Sequence, residues 1–426
     1  MKRYFILIGV VALAIQAAAQ QVNPELKSLV NRAFTYFPKF QELEQQILVN
    51  EQRVGIAATG NKPVIAAAAG YNYTAPVAEA NFGGNKITFQ PNHNYNVGLS
   101  VVQPVFDFGK TRLSVDRARL ELQQSVTNRD YLQAQLAAQV ATVYYSIIYL
   151  QKAIEVQDSV IKVYAANKTL QENKLRNGDA LKIDVLTMQN NIDIEQNRKT
   201  DLLNSLEKQQ LLLTYITGDS ASALQGKFDF YTAATPIDDA LNEARSGNLE
   251  YVLAKQRVRI AEADLALAKT GTKPVINLQG GTGFRNGYQP DINELRYNYT
   301  VGVGISVPIY SGGRLKKQNQ VAASLVKSGE LAISTLDNQY RKDIAQVLAD
   351  IRSNNERLAN AADQVNIAKE ALRLAQSRYD NGISTNVELL NAANSLQKVE
   401  LSQLQYAYQL ALANIELARL KGTKYW

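Results

Sequence analysis

The 426-residue chain has no cysteine and a single histidine, His93, which lies in a polar run. The missing cysteines exclude disulfides, thiolate metal sites, cysteine nucleophiles and lipid attachment to an N-terminal cysteine. One imidazole is too few for an ordinary zinc or copper site. The sequence also has no glycine-rich phosphate loop and no nucleophile–base pattern. We therefore expect no metal, no cofactor and no catalytic role.

An excess of charge of one sign is also missing, because the formal net charge is only +7 over the whole chain. Basic and acidic residues alternate along helical stretches such as 117–121 and do not gather in one block. Such alternation is typical of solvated helix faces, and it argues against a nucleic-acid partner.

Long hydrophobic runs are absent beyond the N-terminus. There, Lys2 and Arg3 precede an apolar stretch at 5–15 and small residues at 17–19. This order predicts a secretory signal peptide over residues 1–20, which is too short to span a membrane. The rest of the chain has no apolar run near the ~18 residues that a spanning helix needs, so only β-strands are left to hold a membrane.

The sequence does contain an internal repeat, in which one structural unit occurs twice. Pro104 and Pro308 lie 204 residues apart, and so do Gly178 and Gly382. A period of this length indicates a gene duplication and is far too long for a solenoid repeat. We predict a first repeat over 21–218, a linker over 219–239 and a second repeat over 240–426.

Each copy contains a very long helical stretch with apolar residues seven positions apart. These positions are Val140, Ile147, Ile154, Ile161 and Leu175 in the first copy, and Ile344, Ile351, Leu358, Val365, Leu372 and Tyr379 in the second. The spacing indicates a coiled-coil seam, and a helix of this length would span roughly 100 Å. An Asn-Gly pair then lets the chain turn back into a second helix. We expect two helical hairpins, at about 110–217 and 314–420.

The segments before each long helix alternate between apolar and small polar residues, most clearly at 297–307. We predict four strands, at about 64–73, 94–103, 275–284 and 297–307. Alternation over about ten residues suits a transmembrane β-strand with one face on lipid and one on a polar lumen. Tyrosines cluster near the strand ends, as in an interfacial aromatic girdle. An ordinary soluble β-hairpin with one solvent-exposed face would show the same alternation.

Four strands per chain leave two open edges, which hydrocarbon does not tolerate. Several chains must therefore share one barrel. Three chains would give about twelve strands and as many tunnel helices, although two or four chains would also close.

The order of these elements resembles the TolC-like outer-membrane efflux protein family over essentially the whole chain after residue 20. The most specific local match is the stretch 377–392, in which Arg378-Tyr379 is followed by Gly382 and then by an acidic run that starts at Glu388. The resemblance implies a mainly α fold with transmembrane β-strands. Long coiled-coil hairpins form an α-barrel tunnel, and four strands per chain contribute to a shared 12-stranded trimeric β-barrel. It also implies a location in the outer membrane with a long periplasmic extension.

The same resemblance implies a function and partners. The chain would be the passive exit duct of a tripartite export system for small molecules such as drugs, detergents or metals. Its partners would be two further copies in a homotrimer, outer-membrane lipid, a periplasmic adaptor (membrane fusion) protein, and an inner-membrane pump that supplies the energy. The alternatives are an exit duct for type I protein secretion and a soluble periplasmic coiled-coil scaffold.

Residues at the two hairpin turns are the candidate adaptor contacts by this resemblance, although each turn is also a plain helix cap. They are Leu175, Asn177, Gly178, Asp179, Leu181, Tyr379, Asn381, Gly382, Ile383 and Ser384. In the family, the tyrosine that matches Tyr379 bonds across the closed periplasmic tip of the tunnel. The position of its usual basic partner is Ser384 here, which argues against the same network.

Asp184, Glu388 and Asn391 are the candidate residues of the periplasmic aperture. The resemblance implies that Glu388 lines the narrow opening, where three copies would form a ring that attracts cations. An acidic residue in the first turn of a helix also stabilises that helix without any further role. Asn391 stands where many relatives have a second acid, so this opening should be less negative than theirs.

Pro104, Gly109, Pro308 and Gly313 form the predicted junction between the barrel and the tunnel. Each proline lacks an N–H group and is expected to end the hydrogen-bond ladder of its strand. Each glycine relaxes the turn into the following helix.

Overall fold

The computed structural model describes residues 23–219 and 224–426 of the chain. The predicted signal peptide, residues 1–20, lies outside the described residues. Within the two described ranges, no helix is both long enough and apolar enough to cross a membrane.

Eight α-helices lie in these ranges, four of them short and four long. The short helices are α1 (Pro24–Tyr36), α2 (Pro38–Ala58), α5 (Ile237–Gly247) and α6 (Leu249–Thr270). The long helices are α3 (Lys110–Asn177), α4 (Lys182–Thr217), α7 (Arg314–Asp380) and α8 (Asn386–Lys421). Helices α3 and α7 have 68 and 67 residues, and each is followed after a short turn by a helix of 36 residues. The two predicted helical hairpins are confirmed.

Each hairpin turn is closed by a glycine in the left-handed backbone region. In the first turn, the N–H of Asp179 donates to the carbonyl oxygen of Lys174 at 2.8 Å. Gly178 lies between them with a φ of 87°, and Gly382 in the second turn has a φ of 72°. Side chains disfavour this region, so glycine is the residue that lets the chain reverse here.

The described chain has six strands, four of which form one antiparallel sheet. The strands are β1 (Val64–Tyr73), β2 (Glu79–Phe82), β3 (Asn85–Thr88), β4 (His93–Phe106), β5 (Val275–Arg285) and β6 (Arg296–Ser306). The sheet has the order β1-β4-β5-β6, so β1 and β6 are its edges. The prediction of four longer strands in each chain is confirmed.

The small hairpin of β2 and β3 was not predicted from the sequence. Its two strands have four residues each, which is too short for alternation to be recognised. Gly83 and Gly84 form its turn, with φ of 58° and 93°. A two-residue turn with positive φ at both positions matches the twist of a hairpin.

The structure differs from the expectation that Pro104 ends its ladder. β4 continues to Phe106, and its pairing with β5 shifts in register between Pro104 and Phe106. A proline removes one N–H donor but leaves its carbonyl oxygen and its neighbours able to pair, so it produces an irregularity and not an end. In the second copy, β6 ends at Ser306, two residues before Pro308.

The chain divides into two compact units. One contains residues 44–126 and 253–333, which include the four-stranded sheet. The other contains the chain up to residue 43, residues 127–252 and residues 334–426, which include both hairpin turns.

The core of the unit with the hairpin turns is built around α3. Val140, Tyr144 and Ile147 of this helix are fully buried. They share one apolar cluster with Leu26 of α1 and Leu213 of α4. The apolar face of the amphipathic helix α1 is thus buried against the long helices of the first hairpin.

A second apolar cluster joins the four helices α5, α6, α7 and α8. It contains Leu241 of α5, Tyr251 of α6, Ile344 of α7 and Leu417 of α8. These side chains are at most 1% exposed, so the second hairpin and the short helices share one core.

The predicted coiled-coil seam is buried at most of its positions in α7. Ile344, Ile351, Val365 and Tyr379 are each less than a tenth exposed. In the first copy the seam ends before the turn, since Leu175 is 37% exposed.

We predict that Gly226→Ala lowers the free energy of unfolding by about 1–3 kcal/mol, because the added Cβ overpacks the core. It would overlap the hydroxyl of the buried Tyr144, which donates to Glu25 Oε2 at 2.8 Å. Urea unfolding in detergent, followed by circular dichroism, measures the change.

Gly55→Ala is the matched control for this prediction. Nothing lies within 4 Å of a Cβ at Gly55. Inside a helix, alanine is favoured over glycine by about 0.5–1 kcal/mol, so this variant should be as stable as the parent or more so. Equal destabilisation by both substitutions would contradict the packing described at Gly226.

Candidate functional site

The hairpin turns each expose a large apolar side chain close to the glycine. Leu181 is 68% exposed after the first turn, and Ile383 is 69% exposed in the second. The polar residues Asn177, Asp179 and Asn381 are exposed beside them. Apolar side chains within a polar rim are the usual composition of a protein–protein contact.

Tyr379 is buried, as its position in the coiled-coil seam predicts, and it does not contribute to the exposed surface of the turn. It is 4% exposed. Its hydroxyl oxygen accepts from Gln171 Nε2 at 2.6 Å and from Lys174 Nζ at 3.5 Å, and Lys174 Nζ lies 4.5 Å from the centre of its ring. Tyr379 therefore ties α7 to α3 within one chain. The expected basic partner position holds Ser384, whose hydroxyl is buried without a hydrogen-bond partner among the described residues.

The three candidate aperture residues have different surroundings. The Asp184 carboxylate accepts from the N–H of Leu181 at 2.9 Å, so it caps the start of α4. The Glu388 carboxylate is 3.9 Å from the Arg378 guanidinium, and its side chain is 53% exposed. Asn391 is exposed. The geometry thus gives Asp184 a helix-capping role and leaves Glu388 accessible beside the second turn.

A buried polar contact joins three of the long helices. Gln157 of α3, Glu195 of α4 and Gln397 of α8 are at most 6% exposed. The Gln397 amide donates to Gln157 Oε1 at 3.1 Å and to Glu195 Oε2 at 2.9 Å, and the Gln157 amide also donates to the carboxylate. Arg198 donates to the other carboxylate oxygen at 2.5 Å. A buried acid is tolerated when its oxygens are paired in this way.

Two more polar pairs join the first hairpin to the second. The Tyr164 hydroxyl donates to Asn394 Oδ1, and the Asn167 amide donates to Asn386 Oδ1. Burial raises the pKa of the Tyr164 hydroxyl, and the negative charge of Glu195 raises it further. Tyr164 therefore stays a neutral hydrogen-bond donor well above neutral pH.

These inter-hairpin contacts were missed from the sequence, although a signal for them exists. The α3 positions three residues after the apolar seam are Val143, Leu150, Gln157, Tyr164 and Gln171. The first two side chains of this series are apolar, and the three nearer the turn carry a polar group. A polar residue at a core position of a coiled coil specifies partner and register at some loss of stability.

The four-stranded sheet has one apolar face and one polar face. Val97, Val301 and Ile305 on the apolar face are 58%, 78% and 67% exposed in the chain. Register keeps this face continuous across three strands, because Val97 lies opposite Phe284 and Phe284 opposite Tyr297. An apolar sheet face of this extent suits contact with hydrocarbon.

Aromatic residues lie at both ends of β4. At its start, the Tyr71 and Tyr95 rings are 5.2 Å apart, and the Tyr71 hydroxyl is 2.9 Å from His93 Nδ1. At its end, the Phe106 and Phe108 rings are 4.7 Å apart. Two aromatic belts with an apolar band between them match the two interfaces of a membrane.

Asp107, between β4 and α3, was not singled out from the sequence. Its carboxylate accepts from the N–H of Gly109 at 3.0 Å and of Thr111 at 2.7 Å, and so caps α3. Burial alone would raise the pKa of Asp107, but hydrogen bonds from Thr111, Gly109 and Lys110 outweigh burial and lower it below its usual value. Gly109 and Gly313 both have positive φ, 86° and 78°, at the starts of their long helices.

Comparison with known proteins adds to this geometry. A model of the outer membrane efflux protein family matches residues 29–219 and 240–423. Outer membrane protein TolC of Vibrio cholerae is 26% identical over 328 residues, which cover 73% of this chain and 73% of that protein. Proteases secretion protein PrtF of Dickeya chrysanthemi is 22% identical over 86% of this chain and 81% of that protein. A solved membrane protein from Pseudomonas aeruginosa has the same fold, with a TM-score of 0.80 at 19% identity over 94% of this chain and 93% of its own.

We predict that Glu195→Leu lowers the free energy of unfolding by about 2–5 kcal/mol, because the buried amides of Gln157 and Gln397 each lose their hydrogen bond to the carboxylate. The triple replacement of all three residues by leucine should recover most of the loss, since apolar groups of similar size leave nothing unpaired. Urea unfolding of the two variants measures both effects. Additive destabilisation in the triple variant would show that the three side chains do not act as one contact.

Proposed function

Because this chain belongs to the outer membrane efflux protein family and is thus an export channel of the outer membrane, we propose that three copies form one duct that meets a periplasmic adaptor at the hairpin turns. One observation carries the proposal. A single chain combines a sheet with an exposed apolar face and two long helical hairpins. The sheet is suited to lipid, and the hairpins to a tunnel wall.

Three copies are proposed because each chain has two edge strands with an unpaired side. Every neighbour in the order β1-β4-β5-β6 is antiparallel, so β1 and β6 run in opposite directions. β6 of one copy and β1 of the next would therefore pair antiparallel as well. A barrel of about eight strands is filled by its own side chains, whereas about twelve strands leave a lumen.

The hairpin turns are the proposed surface for the adaptor. Leu181 and Ile383 supply apolar area, and Asn177, Asp179 and Asn381 surround it with polar groups. Tyr379 is proposed to support this surface from behind, since its bonds to α3 fix the second turn against the first hairpin. An inner-membrane pump would supply the energy through the adaptor.

The aperture of the duct is proposed to be lined by Glu388. Its half-exposed carboxylate lies next to the second turn, and Arg378 compensates part of its charge at 3.9 Å. Asn391 adds no charge at the next turn of the helix. A ring of three such carboxylates would favour cations weakly.

The cargo is proposed to be small molecules, in keeping with the efflux role by which the family is described. Type I protein secretion is the second candidate, because one relative is described as a secretion protein for proteases. A soluble coiled-coil scaffold is not supported, since it would leave the apolar face of the sheet in water.

A deletion strain tests the proposed function. Loss of the chain should sensitise cells to dyes, detergents or antibiotics, and a plasmid copy should restore resistance. The set of affected compounds would define the cargo. Unchanged susceptibility together with loss of specific proteins from the medium would instead favour the secretion candidate. A protein recovered in the soluble fraction without detergent would contradict the membrane assignment.

We predict that Ile383→Glu weakens adaptor binding by about thirtyfold or more, as expected for an apolar anchor at the centre of a contact. Trimers should remain intact, because Ile383 is exposed at a turn that is already held by backbone hydrogen bonds. Site-specific crosslinking to the adaptor and complementation of the deletion strain measure the effect.

Ile56→Glu is the matched control for this substitution. Ile56 on α2 is 69% exposed, as Ile383 is, and it lies outside both hairpins. This variant should crosslink and complement like the parent. Loss of trimers in Ile383→Glu, or an equal defect in Ile56→Glu, would count against the turns as the adaptor contact.

A further inference from the structure

Two arginines are the only residues that carry a formal charge in the four strands of the sheet. The strands at 64–73, 93–106, 275–285 and 296–306 contain no Asp, Glu or Lys, and their only arginines are Arg285 and Arg296. These two lie directly opposite each other at the ends of β5 and β6. Like charges in this position destabilise an antiparallel pair, so the sheet keeps an unfavourable pair on an otherwise uncharged surface.

Both arginines belong to the polar face of the sheet. Side chains alternate between the two faces of a strand, so Arg285 and Gly283 share one face of β5, and Arg296 and Asn298 share one face of β6. The register pairs Arg285 with Arg296 and Gly283 with Asn298, so all four residues lie on the same face of the sheet. Phe284 points to the other, apolar face. In the proposed trimer the polar face is the wall of the lumen, and the inference below rests on that proposed function.

The two arginines differ in their partners. Arg296 lies 3.2 Å from the Glu294 carboxylate and donates to the carbonyl oxygen of Gln289 at 2.9 Å. Arg285 instead lies over the Tyr288 ring, 5.3 Å from its centre, and no carboxylate of the described residues lies within ion-pair distance of it. A cation–π contact orients a guanidinium without neutralising it. The charge of Arg285 is therefore available to a ligand.

A depression in the polar face adjoins Arg285. Its volume is about 220 Å³, and Arg285, Asn96, Asn298 and Thr300 contribute to its wall. It stays open because residues such as Gly283 in its floor have no side chain. The Asn298 amide already donates to the carbonyl oxygens of Gly283 and Arg296, which leaves the Asn96 amide and the Thr300 hydroxyl beside the guanidinium as donors to an oxyanion. A volume of this size also holds bridging waters.

We propose that Arg285 and this depression form an anion-binding site in the lumen of the duct, which favours solutes with sulfonate, phosphate or carboxylate groups on their way out. The site lies at the end of the sheet where β5 and β6 are joined by their loop, remote from the strand ends that connect to α6 and α7. Three copies would repeat it around the lumen, and rings of arginine attract anions.

The dimensions of the barrel allow three such sites to act together. Twelve strands about 4.8 Å apart and tilted by about 40° enclose a backbone radius of about 12 Å. An arginine side chain reaches inward from that wall. The remaining distance to the axis is then within the Debye length of about 8 Å at physiological ionic strength. Every solute that leaves would pass inside the field of Arg285.

Binding of a trianionic dye tests the proposal on the purified full-length protein in neutral detergent. The probe is hydroxypyrene trisulfonate, followed by fluorescence polarisation. Arg285→Gln should weaken binding by about tenfold or more, because charge-assisted hydrogen bonds to the sulfonates are lost. Arg285→Glu should abolish binding, and Arg285→Lys should retain most of it. Unchanged binding in Arg285→Gln and Arg285→Glu, or no binding by the parent protein, would overturn the site.

Arg373→Gln is the matched control, since it removes one exposed arginine that is paired with Glu370 on α7. It should bind the dye within about twofold of the parent. Conductance in planar bilayers separates this test from the proposed function. A parent protein that forms no conducting trimers would contradict the duct itself. Conducting trimers with unchanged dye binding in Arg285→Gln would contradict only the anion site.

Discussion

Hydrocarbon supplies no hydrogen-bond partner to a peptide group, so a strand edge in lipid has to be paired with another strand. In this chain β1 and β6 are the two edge strands of the sheet, so these are the strands that need a partner. Three residues separate β4 from the long helix α3 and seven separate β6 from α7, so any closure of the strands also brings together the first turns of these helices. The number of copies needed to pair every edge strand therefore also determines the number of helices in the tunnel wall.

The two halves of the duplication no longer have the same helix seam. In α7 the positions three residues after the seam are mostly small and apolar, with Ala361 and Ala368 buried, and Asn354 is the polar exception. In α3 the corresponding track holds Gln157, Tyr164 and Gln171, and these groups bond to residues of the second hairpin. Small residues allow close approach, whereas buried polar groups are satisfied in one register only. These bonds thus specify the register of the first hairpin against the second within one chain.

Strict periodicity made most of the fold predictable. Period-two alternation located the strands at 275–285 and 296–306, and the seven-residue spacing located the seam at Ile344 and Ile351, because each pattern reports which face of an element is covered. The β2–β3 hairpin was missed since its strands are too short to show a period. The early end expected at Pro104 was wrong because a proline removes only one donor from the ladder.

The candidate site was harder to predict than the fold. Periodicity shows that a residue faces a neighbour, but it does not show which neighbour. Tyr379 therefore fitted both the buried seam and the surface of the turn, and its contact with Gln171 of the other hairpin places it in the seam. Asp107 and Glu195 were not singled out, because the sequence does not show that their partners are nearby backbone N–H groups or side chains distant in the chain. The roles of Leu181, Ile383 and Glu388 remain predictions that depend on partners outside the single chain.

The pairing of β4 with β5 at the centre of the sheet also determines the order in which the sheet can form. β4 and β5 are neighbours, with Val97 opposite Phe284, yet both helices of the first hairpin lie between them in the chain. Until Phe284 has crossed the inner membrane, β1 and β4 can form only an isolated two-stranded ribbon, which is marginally stable in water. Its apolar face then has neither lipid nor a partner strand. Biogenesis of this protein thus includes an interval in which aggregation competes with assembly, and holding chaperones in the periplasm would act during that interval.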